Sequence, residues 1–543
     1  MNKNIVPILN ILLESKSLLS RAEIEDKMLH IKTRPLQKIL AELEREGRVE
    51  ILGQTASTVY QVSENYHKYF KEKLFLYQNQ VLIGHLGYDR TLGYQFAYDT
   101  EYLTRSKKAV RFEMPLDIVG YEQQKCFVDF EETLPEGIDR EILIEKAGNA
   151  TEFFLLKNNN YSRNELIFSS SKITFEGEKK INTESFLESK SKILGSNKFP
   201  NVLAVDVDID DVSLFPSKYM SEEEIKEVRT ISISGFQHKI PAVIKKGLIR
   251  LPHKDEEVFY FVKPFHPLKA DEENKLYFPH IAINEHLHMT FAKNELGFDV
   301  PESGIFKTEK DREYHYIVKY FDRYKSYKFQ RKEFSTYLGL SSDDKYKISS
   351  EKLFERASKV FPREEDRIMM LEYYFYSFVI RHEDMHTKNI SSIIDKDKTV
   401  IAPLYDISTT GFYGGIRNYE SHLTINGKQT NIRLKDFLCL VKKANVSSKE
   451  FIKRAKAILE AYLDRMPRYI KKIVKLDQID FYTKERPNAQ DRKIKIKGCK
   501  PLDEVMLDAY NNRVDTLEKN LWLEQLGIEN RIKKLLRKPR RKK

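Results

Sequence analysis

An apolar helical run that ends in a crowded polar loop constrains this chain more than any other feature. Residues 371–380 are mostly apolar, and a strand-like run at 400–404 follows some twenty positions later, just ahead of Asp406. The loop between them reads His382-Glu383-Asp384-Met385-His386-Thr387-Lys388-Asn389. The sequence therefore predicts a loop of polar residues between an apolar helix and a strand.

The step from Asp384 to Asn389 has the D-x-x-x-x-N spacing of a kinase catalytic loop. In such a loop the aspartate accepts the proton of the substrate hydroxyl and the asparagine holds a magnesium ion. Asp406 stands where a second metal-binding carboxylate belongs. Because Mg²⁺ prefers hard oxygen ligands, Asn389 and Asp406 are the predicted metal ligands.

The same letters also spell H-E-x-x-H from His382 to His386, which is the zinc-protease motif. That motif needs a helix, so that both imidazoles share one face, and a third ligand downstream. The residues after His386 favour a loop, and the next histidine is His422. Zinc chemistry and an ordinary surface loop therefore remain as alternatives to the kinase interpretation.

An apolar run, Val258–Val262, ends in Lys263, and Glu285 opens a helical pattern about twenty residues later. The two residues are spaced like the strand lysine and helix glutamate whose ion pair holds the lysine on the phosphates of ATP. Residues 316–323 then read as a strand and a hinge beneath an adenine ring. There the backbone would contact the base, so side-chain identity carries little information.

A Ser-x-Ser-Gly turn formed by Ser232, Ser234 and Gly235 lies between two β-branched runs. Small residues allow the backbone to approach phosphates closely, and exposed N–H groups form an anion-binding nest. The turn matches neither the eukaryotic Gly-rich loop nor a Walker A loop. Taken alone, it is more typical of an ordinary hairpin than of a phosphate-binding loop.

The N-terminal 62 residues read as three helices and a hairpin. Ser20 with Glu23 forms a capping-box signature, and a third helix runs from about Thr33 to Glu46. This order resembles a winged helix-turn-helix, whose third helix enters the major groove by its N-terminal end. The side chains predicted to contact phosphates and base edges are Lys32, Thr33, Arg34, Gln37 and Lys38. A protein-docking module is the alternative.

Further motifs occur in a fixed order along the chain. They are Ser232, Gly235, Gln237 and Lys239 (S-x-x-G-x-Q-x-K), Lys263-Pro264, Asn284-Glu285, Phe321-Asp322-Arg323, then Asp384, His386, Lys388 and Asn389 (D-x-H-x-K-N), and Tyr405-Asp406-Ile407-Ser408. With these motifs the chain resembles the HipA family of bacterial Ser/Thr kinases, the toxin half of many toxin–antitoxin modules. Leu134-Pro135-Glu136-Gly137 extends the resemblance to roughly residues 73–480.

The resemblance implies an α+β, protein-kinase-like two-lobed fold and Mg²⁺-dependent transfer of the γ-phosphate of ATP to a Ser or Thr hydroxyl. The catalytic residues it implies are Asp384, Lys263, His386 and Lys388. The nucleotide-binding residues it implies are Ser232, Ser234, Gly235, Gln237, Lys239, Lys263, Glu285 and Phe321. It also implies autophosphorylation of Ser232, with Ser234 as a second acceptor because a serine replaces the usual alanine there. His382 departs from the family, which commonly has asparagine at that position.

The predicted domain organisation combines these segments. It consists of a winged helix at 1–65, a HipA-like N-terminal subdomain at 73–190, a linker at 191–228, a kinase N-lobe at 229–320, a C-lobe at 321–480 and a basic extension at 481–543. The last 13 residues hold nine Lys or Arg and no acidic residue. Such a tail either binds nucleic acid, with steep salt dependence, or is a solubilising end.

Composition narrows the cellular setting. Lys and Arg exceed Asp and Glu by 93 to 81, a modest excess that favours polyanionic partners. Three scattered cysteines fit a reducing compartment, and we find neither a signal peptide nor a run long enough to span a membrane. We therefore expect a cytoplasmic protein without a membrane partner.

Two functions from different classes fit the sequence. The first is a kinase that inhibits growth, carries its own DNA-binding domain and acts on a protein substrate, for which the family suggests an aminoacyl-tRNA synthetase or another translation component. An antitoxin partner belongs to this interpretation. The second is a DNA-binding regulator whose kinase-like domain only senses nucleotide. The presence of Asp384, Asn389 and Asp406 together favours the kinase.

Overall fold

The computed structural model divides the chain into two units, which are described separately. The described residues are 4–15, 18–28, 31–45, 47–54, 57–63, 72–78, 80–90, 93–105, 109, 114–116, 121–159, 166–175, 184–214, 237–253, 256–265, 278–325, 327–396, 398–413, 419–476, 479–484 and 496–528. The first unit holds the described residues up to 175, and the second holds those from 184 onward. No helix among these residues is long and apolar enough to cross a membrane.

The first unit begins with three helices and a small sheet. The helices are Ile5–Glu14, Arg21–Lys27 and Thr33–Arg45, and the strands, in sheet order, are Leu19–Ser20, Val59–Val62 and Val49–Leu52. The predicted capping box is present, because the Glu23 amide donates to Ser20 Oγ and the Ser20 amide donates to Glu23 Oε2. The apolar face of the third helix is buried, at Leu36, Ile39, Leu40 and Leu43.

The rest of the first unit is a five-stranded antiparallel sheet with short helices. In sheet order the strands are Tyr121–Gln123, Gly93–Tyr98, Val81–Asp89, Lys73–Gln78 and Leu166–Ser169. The helices are Thr100–Arg105, Val128–Glu131, Gly137–Ala147 and Glu152–Asn158. Alternating apolar residues of these strands form a core with the rings of Phe96, Phe130 and Phe153.

The second unit opens with a six-stranded sheet that carries one long helix. In sheet order the strands are Ser303–Phe306, His315–Lys319, Tyr260–Lys263, Ile240–Lys245, Leu248–Arg250 and Asp206–Asp208. The helix is Ile281–Leu296, and it is buried over most of its length, including its polar residues. Helices Phe186–Leu194 and Asp211–Leu214 lie earlier in the same unit. This region corresponds to the smaller lobe of a two-lobed fold.

The larger lobe is mainly helical and shares one large apolar core. Its helices are Phe334–Tyr337, Ser350–Val360, Glu364–Val379, Leu434–Ala444, Ser448–Lys471, Leu502–Lys519 and Trp522–Gln525, with 3₁₀ turns at Ser342–Asp344 and Lys472–Lys475. Its strands are Arg323–Tyr324, Tyr327–Lys328, Gln330–Glu333, Ser391–Asp395, Lys398–Ile401, Asp480–Lys484 and Ile496–Pro501. Helix Glu364–Val379 runs through the middle of this core, and the loop that contains Asp384 begins where it ends.

Two predicted boundaries do not coincide with structural ones. Helix Phe186–Leu194 crosses the boundary placed at residue 190, and its N-terminal amides donate to the buried carboxylate of Asp395. The segment after residue 481 is also not a separate extension, because Phe481 and Trp522 lie in the same core as the larger lobe. Basic composition suggested an extension, whereas the apolar positions within it decide the packing. The basic tail itself lies outside the described residues.

Arg513, on helix Leu502–Lys519, ties the C-terminal helices to the loop of the candidate site. Its guanidinium donates to the carbonyls of Phe378 (2.6 Å) and Val379 (3.0 Å), which end helix Glu364–Val379. The same group forms an ion pair of 2.5 Å with Glu420, and both side chains are almost fully buried. The last helical carbonyls, which have no partner within their own helix, are therefore satisfied by a buried cation.

Candidate active site

Lys263 stands at the centre of a buried cluster of charges. Its Nζ donates to both carboxylate oxygens of Glu285 (2.7 and 2.8 Å) and to Asp406 Oδ1 (2.6 Å). The ion pair expected between Lys263 and Glu285 is thus present. A strand, a helix and a loop far apart in sequence each supply one member of this cluster.

The environment of this cluster shifts the pKa of each of its three groups. Burial would lower the pKa of Lys263, but Asp406 and Glu285 together raise it above its usual range. Burial would likewise raise the pKa of Asp406, but Lys263 and Lys239 hold it well below its usual range. Burial raises the pKa of Glu285 to about 7 although Lys263 opposes this. Glu285 is therefore the first of the two carboxylates to gain a proton as the pH falls, and Asp406 stays ionised.

Asp406 adopts a left-handed backbone conformation, with φ of +58°. This conformation is strained for a residue other than glycine, and such strain persists only where neighbouring contacts hold it. The side chain of Asn284 supplies such contacts at Thr409, three residues after Asp406. Its Nδ2 donates to the backbone carbonyl of Thr409 (2.8 Å), and its Oδ1 accepts from the backbone amide of Thr409 (3.1 Å).

The segment from His382 to Asn389 is a loop and not a helix. The Asp384 side chain is 56% exposed, so its carboxylate can meet a substrate. Asn389 Nδ2 donates to the backbone carbonyl of Asp384 (2.9 Å), which leaves Oδ1 as the amide atom able to meet a cation. Asn389 and Asp406 thus offer the hard oxygen donors that Mg²⁺ prefers.

This backbone conformation excludes the zinc interpretation of the same letters. His382 Nδ1 bonds the carbonyl of Ser408 (2.6 Å), and His386 Nδ1 accepts from the amide of Lys388 (3.2 Å). Without a helix, the two imidazoles do not present a shared face. Within the described part of the chain, no group of three or more His, Cys, Asp or Glu side chains is arranged to hold a metal. Burial lowers the pKa of His382, so its ring is neutral near pH 7.

Lys388 is nearly buried at the base of this loop. Its Nζ lies 3.7 Å from Glu333 Oε2 and 2.9 Å from Ser342 Oγ. The fully buried carboxylate of Glu333 also meets Arg331, whose guanidinium stacks on the ring of Tyr405. Tyr405 in turn donates to the carbonyl of Lys388 (2.7 Å). These neighbours hold the backbone and the ammonium group of Lys388 in place.

Other residues of the predicted site lie in less informative places. Ser232, Ser234 and Gly235 lie outside the described residues. Lys239 is buried and reaches the carbonyl of Gln237 (3.4 Å). Phe321 is buried against Tyr405 and other apolar side chains, so any contact of this segment with a nucleotide would use its backbone.

The five residues predicted to contact DNA lie in the first unit, at the start of helix Thr33–Arg45. All of them are exposed, and Thr33 Oγ1 donates to Glu25 (2.8 Å). Their exposure fits a surface that meets a partner. They remain a prediction.

Sequence reasoning missed Glu333 and Tyr346, both of which contact the loop at 382–389. Glu333 lies next to Lys388, and the hydroxyl of Tyr346 donates to Asp384 Oδ1 (2.7 Å). Both residues come from segments about forty or more positions earlier in the chain. No local pattern marks them, because only the tertiary fold brings them to the loop.

The fold and the site are those of a kinase-like protein of the α+β class. The model of the HipA-like C-terminal domain matches residues 231–470, and that of the HipA N-terminal domain matches residues 74–158. Together the two models cover more than half of the chain. The chain therefore belongs to the HipA family.

Individual relatives agree with this assignment. A Haemophilus influenzae protein named as a kinase is 29% identical to this chain over 204 residues, which are 35% of this chain and 55% of that protein. A protein of Sinorhizobium fredii, named kinase Y4mE, is 25% identical over 193 residues, which are 34% of this chain and 43% of that protein. The chain thus spans about half the length of the curated relatives it matches.

A solved structure shares the fold. It is the complex of HipA, HipB and operator DNA from Shewanella oneidensis MR-1, which matches with a TM-score of 0.55 and 16% identity. The match covers 83% of this chain and 99% of that one. The α+β, kinase-like fold predicted from the sequence is confirmed.

Proposed function

We propose that this chain transfers the γ-phosphate of ATP to a Ser or Thr hydroxyl of a protein in a Mg²⁺-dependent reaction. The observation that carries the proposal is the contact of Lys263 with Glu285 and Asp406 at once. A strand lysine, a helix glutamate and a loop aspartate in this arrangement are the parts that phosphoryl transfer requires beside a catalytic aspartate. Glu285 orients Lys263, and Lys263 is then able to bind phosphate oxygens.

The remaining side chains have separate roles. Asp384 accepts the proton of the attacking hydroxyl, because its carboxylate is exposed on the loop. Asn389 and Asp406 would hold Mg²⁺, which neutralises charge on the phosphates when it is bound. Lys388 belongs to the same loop as Asp384 and is paired with Glu333, and it would supply positive charge where the transferred group carries negative charge. His386 accepts the amide of Lys388 and thereby fixes the loop.

The cellular role belongs to the same proposal. By analogy with the Shewanella complex of HipA with HipB and operator DNA, the chain would act as a growth-inhibiting toxin with an antitoxin and DNA as partners. Its protein substrate would be a translation component such as an aminoacyl-tRNA synthetase, and its place would be the cytoplasm. A regulator that only senses nucleotide would bind ATP without ever placing label on protein.

The first prediction concerns Ser232 and Ser234. On incubation with [γ-³²P]ATP and Mg²⁺, we expect label on Ser232, with Ser234 as the second site, and no label when EDTA removes the metal. A phosphate on either serine adds nearly two negative charges at the predicted position of the ATP phosphates. Protein preincubated with Mg-ATP should therefore lose ATP affinity and activity. The Ser232→Ala/Ser234→Ala protein should keep both. Equal loss in this double variant would contradict the proposal.

We further propose that the first unit binds DNA in the manner of a winged helix, with the exposed residues Lys32 and Arg34 on phosphates. Removing two phosphate contacts should weaken binding and reduce the slope of log affinity against log salt by about 2. Lys32→Ala/Arg34→Ala would be compared with wild type on a fluorescent random-sequence duplex at several salt concentrations. Arg105→Ala/Lys125→Ala removes two other exposed cations of the same unit and serves as the matched control. Equal slopes for both variants would exclude this surface.

A further inference from the structure

A short segment, residues 341–347, lies across the loop that carries Asp384. The carbonyl of Lys345 accepts from Thr387 Oγ1 (3.1 Å), and Ser342 Oγ accepts from Lys388 Nζ (2.9 Å). The 3₁₀ turn Ser342–Asp344 and an ion pair between Lys347 and Asp344 shape the segment. Two residues of the loop, Thr387 and Lys388, thus hold the segment at positions just before Tyr346.

The hydroxyl of Tyr346 donates to Asp384 Oδ1 at 2.7 Å. A general base must lie about 2.6–3.2 Å from the atom whose proton it takes. Since Asp384 is the base of the proposed function, the Tyr346 hydroxyl is placed as an attacking hydroxyl would be. No other segment needs to move for this contact to form.

Two imidazoles hold the ring of Tyr346. It stacks on His422, with ring centroids 4.0 Å apart at 26°, and meets the edge of His386 at 4.9 Å. His422 is fixed by the carbonyl of Glu383 (3.0 Å), which lies next to Asp384 in the loop. The space between the two imidazoles is therefore flat and lined by aromatic rings. It fits a phenol, whose ring reaches from the backbone of residue 346 to the carboxylate of Asp384.

We propose that Tyr346 is an intramolecular phosphoacceptor, so that this site phosphorylates tyrosine as well as serine. Tyr346 Oη attacks the γ-phosphorus of ATP, and a new Oη–P bond forms. The bond from that phosphorus to the β–γ bridging oxygen breaks, and ADP leaves with the electron pair. The phenolic proton passes to Asp384.

Phosphorylated Tyr346 cannot stay between His386 and His422. Phosphotyrosine carries nearly two negative charges, and it would lie beside the carboxylate of Asp384. Like charges at this distance repel, so the ring leaves the space between His386 and His422. Phosphorylation of Tyr346 thereby vacates the acceptor site for a second molecule.

This inference rests on the proposed kinase function, and one experiment separates the two. Full-length protein is first treated with phosphatase, and it is then incubated with Mg-ATP. Phosphopeptides are mapped by mass spectrometry over time. We expect phosphate on Tyr346 at a rate constant that does not change with protein dilution, because the reaction is intramolecular. Tyr346→Phe keeps the ring and should lose all of the phosphotyrosine, whereas Tyr88→Phe in the first unit should retain it.

Phosphate on serine without any on Tyr346 would overturn the inference and leave the kinase function intact. A rate proportional to protein concentration would overturn it too, because the acceptor would then be on another molecule. If no residue gains phosphate, the proposed function fails and the inference fails with it.

Discussion

Phosphoryl transfer by the Asp384→Asn protein is expected to be slower than that of the wild type by about 10²–10⁴-fold. An asparagine still accepts a hydrogen bond from an attacking hydroxyl, but it cannot take the proton. Lys263, Glu285 and Asp406 are untouched by the change, so Mg-ATP should bind as before. The rate of label incorporation and the affinity for ATP, measured on the same protein, separate these two effects.

The matched control for this substitution is Asp464→Asn, the same chemical change at an exposed position of helix Ser448–Lys471. It should leave both quantities unaltered. If Asp384→Asn transferred phosphate as fast as the control, Asp384 would not be the base. If instead neither protein nor the wild type transferred phosphate while all three bound ATP, the nucleotide-sensing regulator would be the better account.

The second large effect is expected in stability. Arg513→Ala should lower the free energy of unfolding by about 3–5 kcal/mol, because it leaves Glu420 as a buried charge without its cation. It also removes the donors to the carbonyls of Phe378 and Val379 at the end of helix Glu364–Val379. Urea unfolding of the full chain, followed by circular dichroism, measures the change as a shift in midpoint.

Arg468→Ala, at an exposed position of helix Ser448–Lys471, is the control and should cost less than about 0.5 kcal/mol. The double variant Glu420→Gln/Arg513→Ala should recover part of the loss, since it no longer buries an unpaired charge. A shift for Arg513→Ala no larger than that of Arg468→Ala would show that the buried ion pair contributes little.

The parts of the site that follow local rules were predictable from sequence. The spacing of Asp384 and Asn389 indicated a catalytic loop, and the strand before Lys263 and the helix after it indicated the ion pair with Glu285. Backbone conformation decided between two meanings of the same letters, because only a helix would have turned His382 and His386 into a metal site. Periodicity likewise located the three helices and the hairpin of the first 62 residues.

Contacts between distant segments could not be predicted in this way. Tyr346, Glu333 and Arg513 reach the loop at 382–389 or the end of helix Glu364–Val379 from positions that no motif marks. The basic composition after residue 481 also misled, because net charge describes the surface whereas Phe481 and Trp522 decide where the segment packs. Burial of charged residues is visible only once the tertiary fold is known.

The adjacent residues Asn284 and Glu285 link two parts of the site through one helix, Ile281–Leu296. Glu285 pairs with Lys263 of the sheet, while Asn284 forms two hydrogen bonds with the backbone of Thr409, three residues beyond Asp406. An outward displacement of helix Ile281–Leu296 would have to break the hydrogen bonds of both residues at once. On–off control by displacement of that helix is therefore costly in this molecule, and loops that can be modified one at a time offer the easier place for a switch.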